Sequence, residues 1–75
     1  MSNKILEILQ SVRPELDFQE SSNFILDGYL DSFYLVLLVS SLEKEFNISI
    51  NSKNIIPDNF ISIESIAKLI KTNQI

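Results

Sequence analysis

The chain has 75 residues, a formal charge of −4, no cysteine and no histidine. That length holds one domain, 1–75, with too little interior to enclose a deep catalytic cavity. Without Cys and His there is no disulfide framework, no thiolate nucleophile, no sulfur-ligated metal centre and no Ser-His-Asp catalysis, so a non-catalytic protein is expected. One Gly and two Pro beside 45% hydrophobic residues argue against disorder and for a fold held by an Ile/Leu core.

In chain order, the first element is a helix over Ser2 to Arg13. Ser2 is its expected N-cap, and Ile5, Leu6, Leu9 and Val12 recur at helical spacing. Pro14 disfavours helix at Arg13 and stops it. Residues 14–31 then form a long connection that carries acidic and polar residues with apolar anchors: Leu16, Phe18, Phe24, Ile25, Leu26 and Leu30. So many anchors predict an ordered loop packed over the core, with a short turn near Asn23 to Leu26 and a reversal at Asp27-Gly28.

Ser32 to Phe46 is the central element. Its opening run, Phe33 to Val39, has the β-propensity of a buried strand. Helix is favoured, because Leu35, Leu38, Val39, Leu42 and Phe46 continue at steps of three and four. An Asp-Ser start, a Glu43-Lys44-Glu45 end and Asn47 as the stop fit helix chemistry. Ile48 to Ile50 is a short extended piece, and Asn51 to Asn54 is polar. Pro57 opens a short helix through Phe60, and Ser62 caps a last helix whose buried stripe is Ile63, Ile66, Ala67 and Ile70, with Leu69 beside it. Thr72 to Ile75 should fray. The expected fold is a small all-α bundle of three main helices plus one short helix, with a long ordered loop between the first two.

With its apolar stripe turned inward, the central helix places Phe33, Val36, Leu37, Ser40 and Lys44 outward, at 100° per residue. Three of these five are large and apolar. They form either a contact site or a surface that the long loop folds back to cover. At the start of the same helix, Asp31 and Ser32 are on local chemistry simply capping residues. A phosphate on Ser32 would nonetheless meet unpaired N–H groups and the positive end of the helix dipole. With no His to activate it, chemistry at Ser32 must be done by another protein.

The six basic residues are scattered and outnumbered by acids, which speaks against nucleic acid. The longest apolar run, Phe33 to Val39, is far short of the roughly 20 residues that span a bilayer. Neither a signal peptide nor a lipidated cysteine is expected, and the default compartment is the cytoplasm.

Leu26-Asp27-Gly28-Tyr29-Leu30-Asp31-Ser32-Phe33 resembles the attachment segment of acyl carrier proteins, with its Asp-Ser-Leu core. Val36, Leu38, Val39, Leu42, Glu43, Phe46 and Ile48 fall at the spacing of that family's second helix and the residues after it. Ile56-Pro57, Phe60, Ser62 and Ile63 are similar to the region that leads into its third and fourth helices. The likeness covers about Ile5 to Ile70. It implies that Ser32 carries 4′-phosphopantetheine, installed from coenzyme A by a magnesium-dependent phosphopantetheinyl transferase. It also implies that Asp31 belongs to the attachment motif and that the helix after Ser32 is the docking surface. The arm's thiol would hold an acyl or aminoacyl thioester, making the domain a tethered substrate and a monomer rather than a catalyst.

Departures from the family's pattern narrow the expectation. Phe33 replaces the usual leucine, Leu37 stands where fatty-acid carriers place a glutamate, and Tyr34 stands at another often acidic position. Ser40 replaces a larger apolar residue and Lys44 reverses a frequently acidic one. The wording around Ser32, with Pro57-Asp58-Asn59-Phe60 later, looks closer to stand-alone D-alanyl or aminoacyl carriers. Such carriers are loaded by an adenylating acyl or aminoacyl ligase and serve downstream acyl-transfer or synthase enzymes. The alternatives are a carrier of fatty-acid or polyketide synthesis, and a carrier-like interaction module in which Ser32 stays unmodified.

Overall fold

A computed structural model of the protein describes residues 1–73. Three α-helices account for the regular structure: α1 (Ser2–Val12), α2 (Ser32–Phe46) and α3 (Ile63–Thr72). Three short 3-10 turns, Phe18–Glu20, Ser52–Asn54 and Pro57–Phe60, shape the connections, and no strand occurs among the described residues. The expected all-α bundle is thus the fold observed. The expected short helix at Pro57 to Phe60 is present in 3-10 form, with Pro57 in its first turn, where a missing N–H costs nothing.

Helix α1 buries Ile5, Ile8 and Leu9, with Leu6 and Val12 at the rim of the core. Ile8 was not part of the expected stripe; Leu6 and Val12 flank it. The helix also begins one residue earlier than its cap residue suggests. Ser2 already lies inside it, Met1 is the N-cap, and the Met1 carbonyl accepts from the Ile5 N–H at 3.0 Å. No side-chain cap forms there. Pro14 ends the helix as expected, leaving Arg13 at the C-cap in a non-helical conformation.

Helix α2 has the expected bounds. The Asp31 carboxylate accepts from the Tyr34 N–H at 3.1 Å, and Asn47 closes the helix in the left-handed conformation (φ 54°). Leu35, Leu38, Val39 and Leu42 are buried, whereas Phe46 is only half-buried because the helix is leaving the core there. The chain then turns back on itself. The Glu43 carbonyl accepts from the Ile48 N–H at 3.1 Å, and a Glu43 side-chain oxygen accepts from the Ile50 N–H at 2.8 Å. This satisfies the extended piece without a partner strand and sends Ile50 into the core.

Helix α3 is capped by Ser62, whose Oγ accepts from the Ser65 N–H at 3.1 Å. Its buried centre is Ile66, Leu69 and Ile70, while Ile63 and Ala67 lie at the edge. Thr72 is helical rather than frayed, and Asn73 holds the end by donating from its side chain to the Leu69 carbonyl at 2.8 Å. The remainder of the tail expected to fray, residues 74–75, lies outside the described residues. Helix α1 packs against both α2 and α3, and α3 packs against the Pro57–Phe60 turn, whose Phe60 is fully buried.

The long connection is ordered and packed, as its anchors predict. Phe18, Phe24 and Leu30 are buried, and Phe18 makes edge-on contacts with Phe24 (5.2 Å between centroids) and Tyr29 (5.3 Å). A radius of gyration of 11.1 Å matches the roughly 11 Å expected for a domain of this length, so the loop adds no extension. Leu26 is the exception among the anchors: it is 83% exposed.

Candidate functional site

Ser32 is positioned by two successive local devices. The first is the turn before it. Asn23 Oδ1 accepts from the N–H groups of Ile25 and Leu26 at 3.0 and 2.9 Å, and the Asn23 carbonyl accepts from the Asp27 N–H at 3.0 Å. Gly28, at φ +75°, reverses the chain in a conformation that side chains strain to adopt. The N–H groups of Tyr29 and Leu30 then both point to the Phe24 carbonyl, at 2.9 and 3.1 Å. Phe24 in turn donates its N–H to the Ile61 carbonyl at 2.8 Å, tying the turn to the residues just before α3.

The second device is the helix start. Leu30 and Leu35 occupy the two positions of a hydrophobic staple around the Asp31 cap, and both are buried. The cap uses the N–H of Tyr34, and the Asp31 carbonyl uses that of Leu35 at 2.8 Å. The N–H groups of Ser32 and Phe33 meet no protein acceptor among the described residues. Ser32 itself is exposed, its hydroxyl takes part in none of the side-chain hydrogen bonds among those residues, and the cap is made by Asp31 instead. Of the two residues expected to cap, only Asp31 does so. Ser32 is left with an unengaged oxygen at the positive end of a 15-residue helix.

The outward face is placed as the helical wheel predicts. Phe33, Val36 and Leu37 are 66%, 67% and 41% exposed, and Ser40 and Lys44 are exposed with them. The long loop therefore does not cover this face. The acids nearest its far end are engaged elsewhere: Glu43 holds the Ile50 N–H, and Glu45 lies 3.9 Å from Lys4 on α1.

Two features had no signal in the sequence pattern. Leu26 shares the tip of the turn, where there is no periodicity to say which side chain faces in. Arg13 was expected only as the end of the first helix. Its guanidinium reaches the carbonyls of Gly28 and Tyr29 at 3.3 and 3.2 Å, pairs with Glu15 at 2.8 Å, and stacks 4.4 Å from the centre of the Tyr34 ring. Glu15's hydrogen bond holds Arg13 protonated beyond its ordinary range. The Glu15 carboxyl is held below its own, by its backbone N–H first and by Arg13 second.

Among the described residues no polar or charged residue is buried, and no three His, Cys, Asp or Glu side chains gather where a metal could bind. No described helix is long and apolar enough to cross a membrane. In comparisons with protein-family models, curated proteins and solved structures, nothing matches the chain.

Proposed function

We propose that this chain is a carrier domain of the acyl carrier type, modified at Ser32 with 4′-phosphopantetheine. The observation that carries the reading is the state of Ser32: an exposed, unengaged hydroxyl at the start of α2, behind a turn anchored by buried Phe24 and Leu30. The attachment point suits the group. A phosphodiester on Ser32 would find the unpaired N–H groups of Ser32 and Phe33 and the positive end of the helix. The group, when bound, supplies a thiol that holds cargo as a thioester.

This chain's residues accept and present; they do not catalyse. Ser32 Oγ gives its proton to a base on the transferase and bonds to the phosphopantetheine phosphorus of coenzyme A, while the pyrophosphate P–O bond breaks and adenosine 3′,5′-bisphosphate leaves. Asp31 fixes the first turn around the reacting oxygen. Phe33, Val36 and Leu37 form the face that partner enzymes grip, with Ser40 and Lys44 at its polar margin. That face is apolar and holds no acid, which favours a specialised pathway loaded by an adenylating acyl or aminoacyl ligase over fatty-acid synthesis. Action in the cytoplasm as a monomer belongs to the same reading.

Co-expression with a broad-specificity phosphopantetheinyl transferase, followed by intact-mass measurement, tests it. One added phosphopantetheine is expected, and none on Ser32→Ala. An unmodified wild-type chain, or a modified Ser32→Ala chain, would refute it. The first result would favour an interaction module that uses the exposed Leu26, Phe33, Val36 and Leu37 with Ser32 as a plain helix residue.

A further inference from the structure

Residues 28–34 carry Ser32 near their middle, and one side chain from another element touches both ends of that segment. Arg13, at the end of α1, donates to the carbonyls of Gly28 and Tyr29 on one side of Ser32. Its guanidinium carbon lies over the Tyr34 ring on the other side, 4.4 Å from the centroid. Glu15 holds the remaining edge, with Nε and the second terminal nitrogen at 2.9 and 2.8 Å from the same carboxylate oxygen. All three guanidinium nitrogens therefore have partners, and the group also lies over an aromatic ring.

We propose that Arg13 is a positioning residue that clamps the 28–34 segment so that Ser32 is held in one orientation for its modifying enzyme. The clamp deepens the carrier reading and rests on it for its functional consequence. Its geometry needs a planar, multi-donor cation. A lysine ammonium could meet one carbonyl or the carboxylate, but it offers neither the fork nor the stacking face. The contacts also explain why the turn at Gly28 is fixed to the helix start: the buried anchors set its depth, and Arg13 sets its angle. Gly28 and Tyr29 have no side chain of their own that could reach across to α2 in Arg13's place, since Tyr29 packs on Phe18.

The test compares wild type, Arg13→Gln and Arg13→Lys in two measurements. In amide hydrogen exchange, Arg13→Gln should speed exchange at Tyr29 and Leu30 about tenfold while Leu38 and Ile66 keep their protection. Arg13→Lys should fall between. In transferase kinetics, the apparent KM for the Arg13→Gln carrier should rise about threefold, as the competent fraction falls, with kcat and the KM for coenzyme A unchanged. Equal acceleration of all amides would show a merely structural role and overturn the proposal. So would unchanged exchange at Tyr29 and Leu30, or faster exchange there with unchanged kinetics. If wild type accepts no phosphopantetheine, the carrier reading falls, and the exchange pattern alone then decides whether Arg13 clamps the segment.

Discussion

Asp31 has two separable properties, an acceptor oxygen and a charge, and two substitutions divide them. Asp31→Ala removes the acceptor that the Tyr34 N–H meets at 3.1 Å and leaves that group to water, because Ser32 and Tyr34 are not fully covered. Loss of such a cap costs about 1 kcal/mol. Loss of a negative charge at the helix start adds roughly 0.3–1 kcal/mol. A domain of this size then melts about 5–16 °C lower, taking roughly 4–8 °C per kcal/mol. Asp31→Asn keeps a side-chain oxygen in the same place and loses only the charge, so its cost should stay below about 1 kcal/mol. Thermal and urea unfolding measure both. If Asp31→Asn destabilises as much as Asp31→Ala, the hydrogen bond is not what the cap contributes, and the argument for a locally built helix start fails. The same pair informs function. If Asp31→Asn folds normally yet is modified poorly at Ser32, the charge is read by the transferase and the carboxylate serves both stability and recognition.

Other consequences can be checked on the same footing. Leu42→Ala, at a fully buried position, should cost roughly 2–5 kcal/mol, and Phe46→Ala distinctly less because Phe46 is half-buried; Leu37→Glu should leave the urea midpoint nearly unchanged. Gly28→Ala should cost about 1 kcal/mol from backbone strain alone, since no atom lies within 4 Å of the added methyl group; a neutral result in urea unfolding would show that the turn does not hold φ +75° in solution. Glu43→Ala should expose the Ile50 N–H to loss of its only side-chain acceptor and cost about 1–3 kcal/mol, seen as lower melting temperature and faster exchange at Ile50. Because the Glu15 carboxyl is held below its ordinary range, its contribution to stability is present above that range and is lost as pH falls through its folded value. Urea midpoints of wild type and Glu15→Gln should therefore converge in acid, and a gap that persists there would contradict the assignment.

What could be read from the residues follows from where the physics is local. The bounds of α2 were legible because an Asp cap, a left-handed Asn and a stripe at three- and four-residue steps are all signals within one turn of the element they define. The outward set Phe33, Val36, Leu37, Ser40 and Lys44 followed from the same rotation, and each is exposed. Leu26 was misjudged because hydrophobicity suggests burial, while an Asn23-based turn turns Phe24 inward and carries Leu26 out. Ser2 was misjudged because a good capping residue need not cap when the helix starts earlier. The roles of Arg13 and Glu43 depend on contacts with residues brought close only by folding or by a chain reversal, such as Arg13 with Tyr29 sixteen positions on. Neither periodicity nor capping preference carries that information.

The distribution of chemistry in the fold bears on what kind of protein this is. Each buried side chain among the described residues is apolar, so the core specifies a shape. Three polar side chains lie along the path to Ser32: Asn23 shapes the turn, Asp31 starts the helix, and Arg13 joins the two. A serine needed only as surface filler would not require the residues before it to be anchored by Phe24 and Leu30, nor those on both sides to share one guanidinium. Rigid placement of a hydroxyl that the chain cannot itself activate has a use when a second protein must find that oxygen in a fixed geometry. The same rigidity leaves selectivity to the adjoining face of α2, where Phe33, Val36 and Leu37 offer contact area without acidic charge. On the carrier reading, the turn and the clamp decide how well Ser32 is modified, and the apolar face decides which enzymes then receive it.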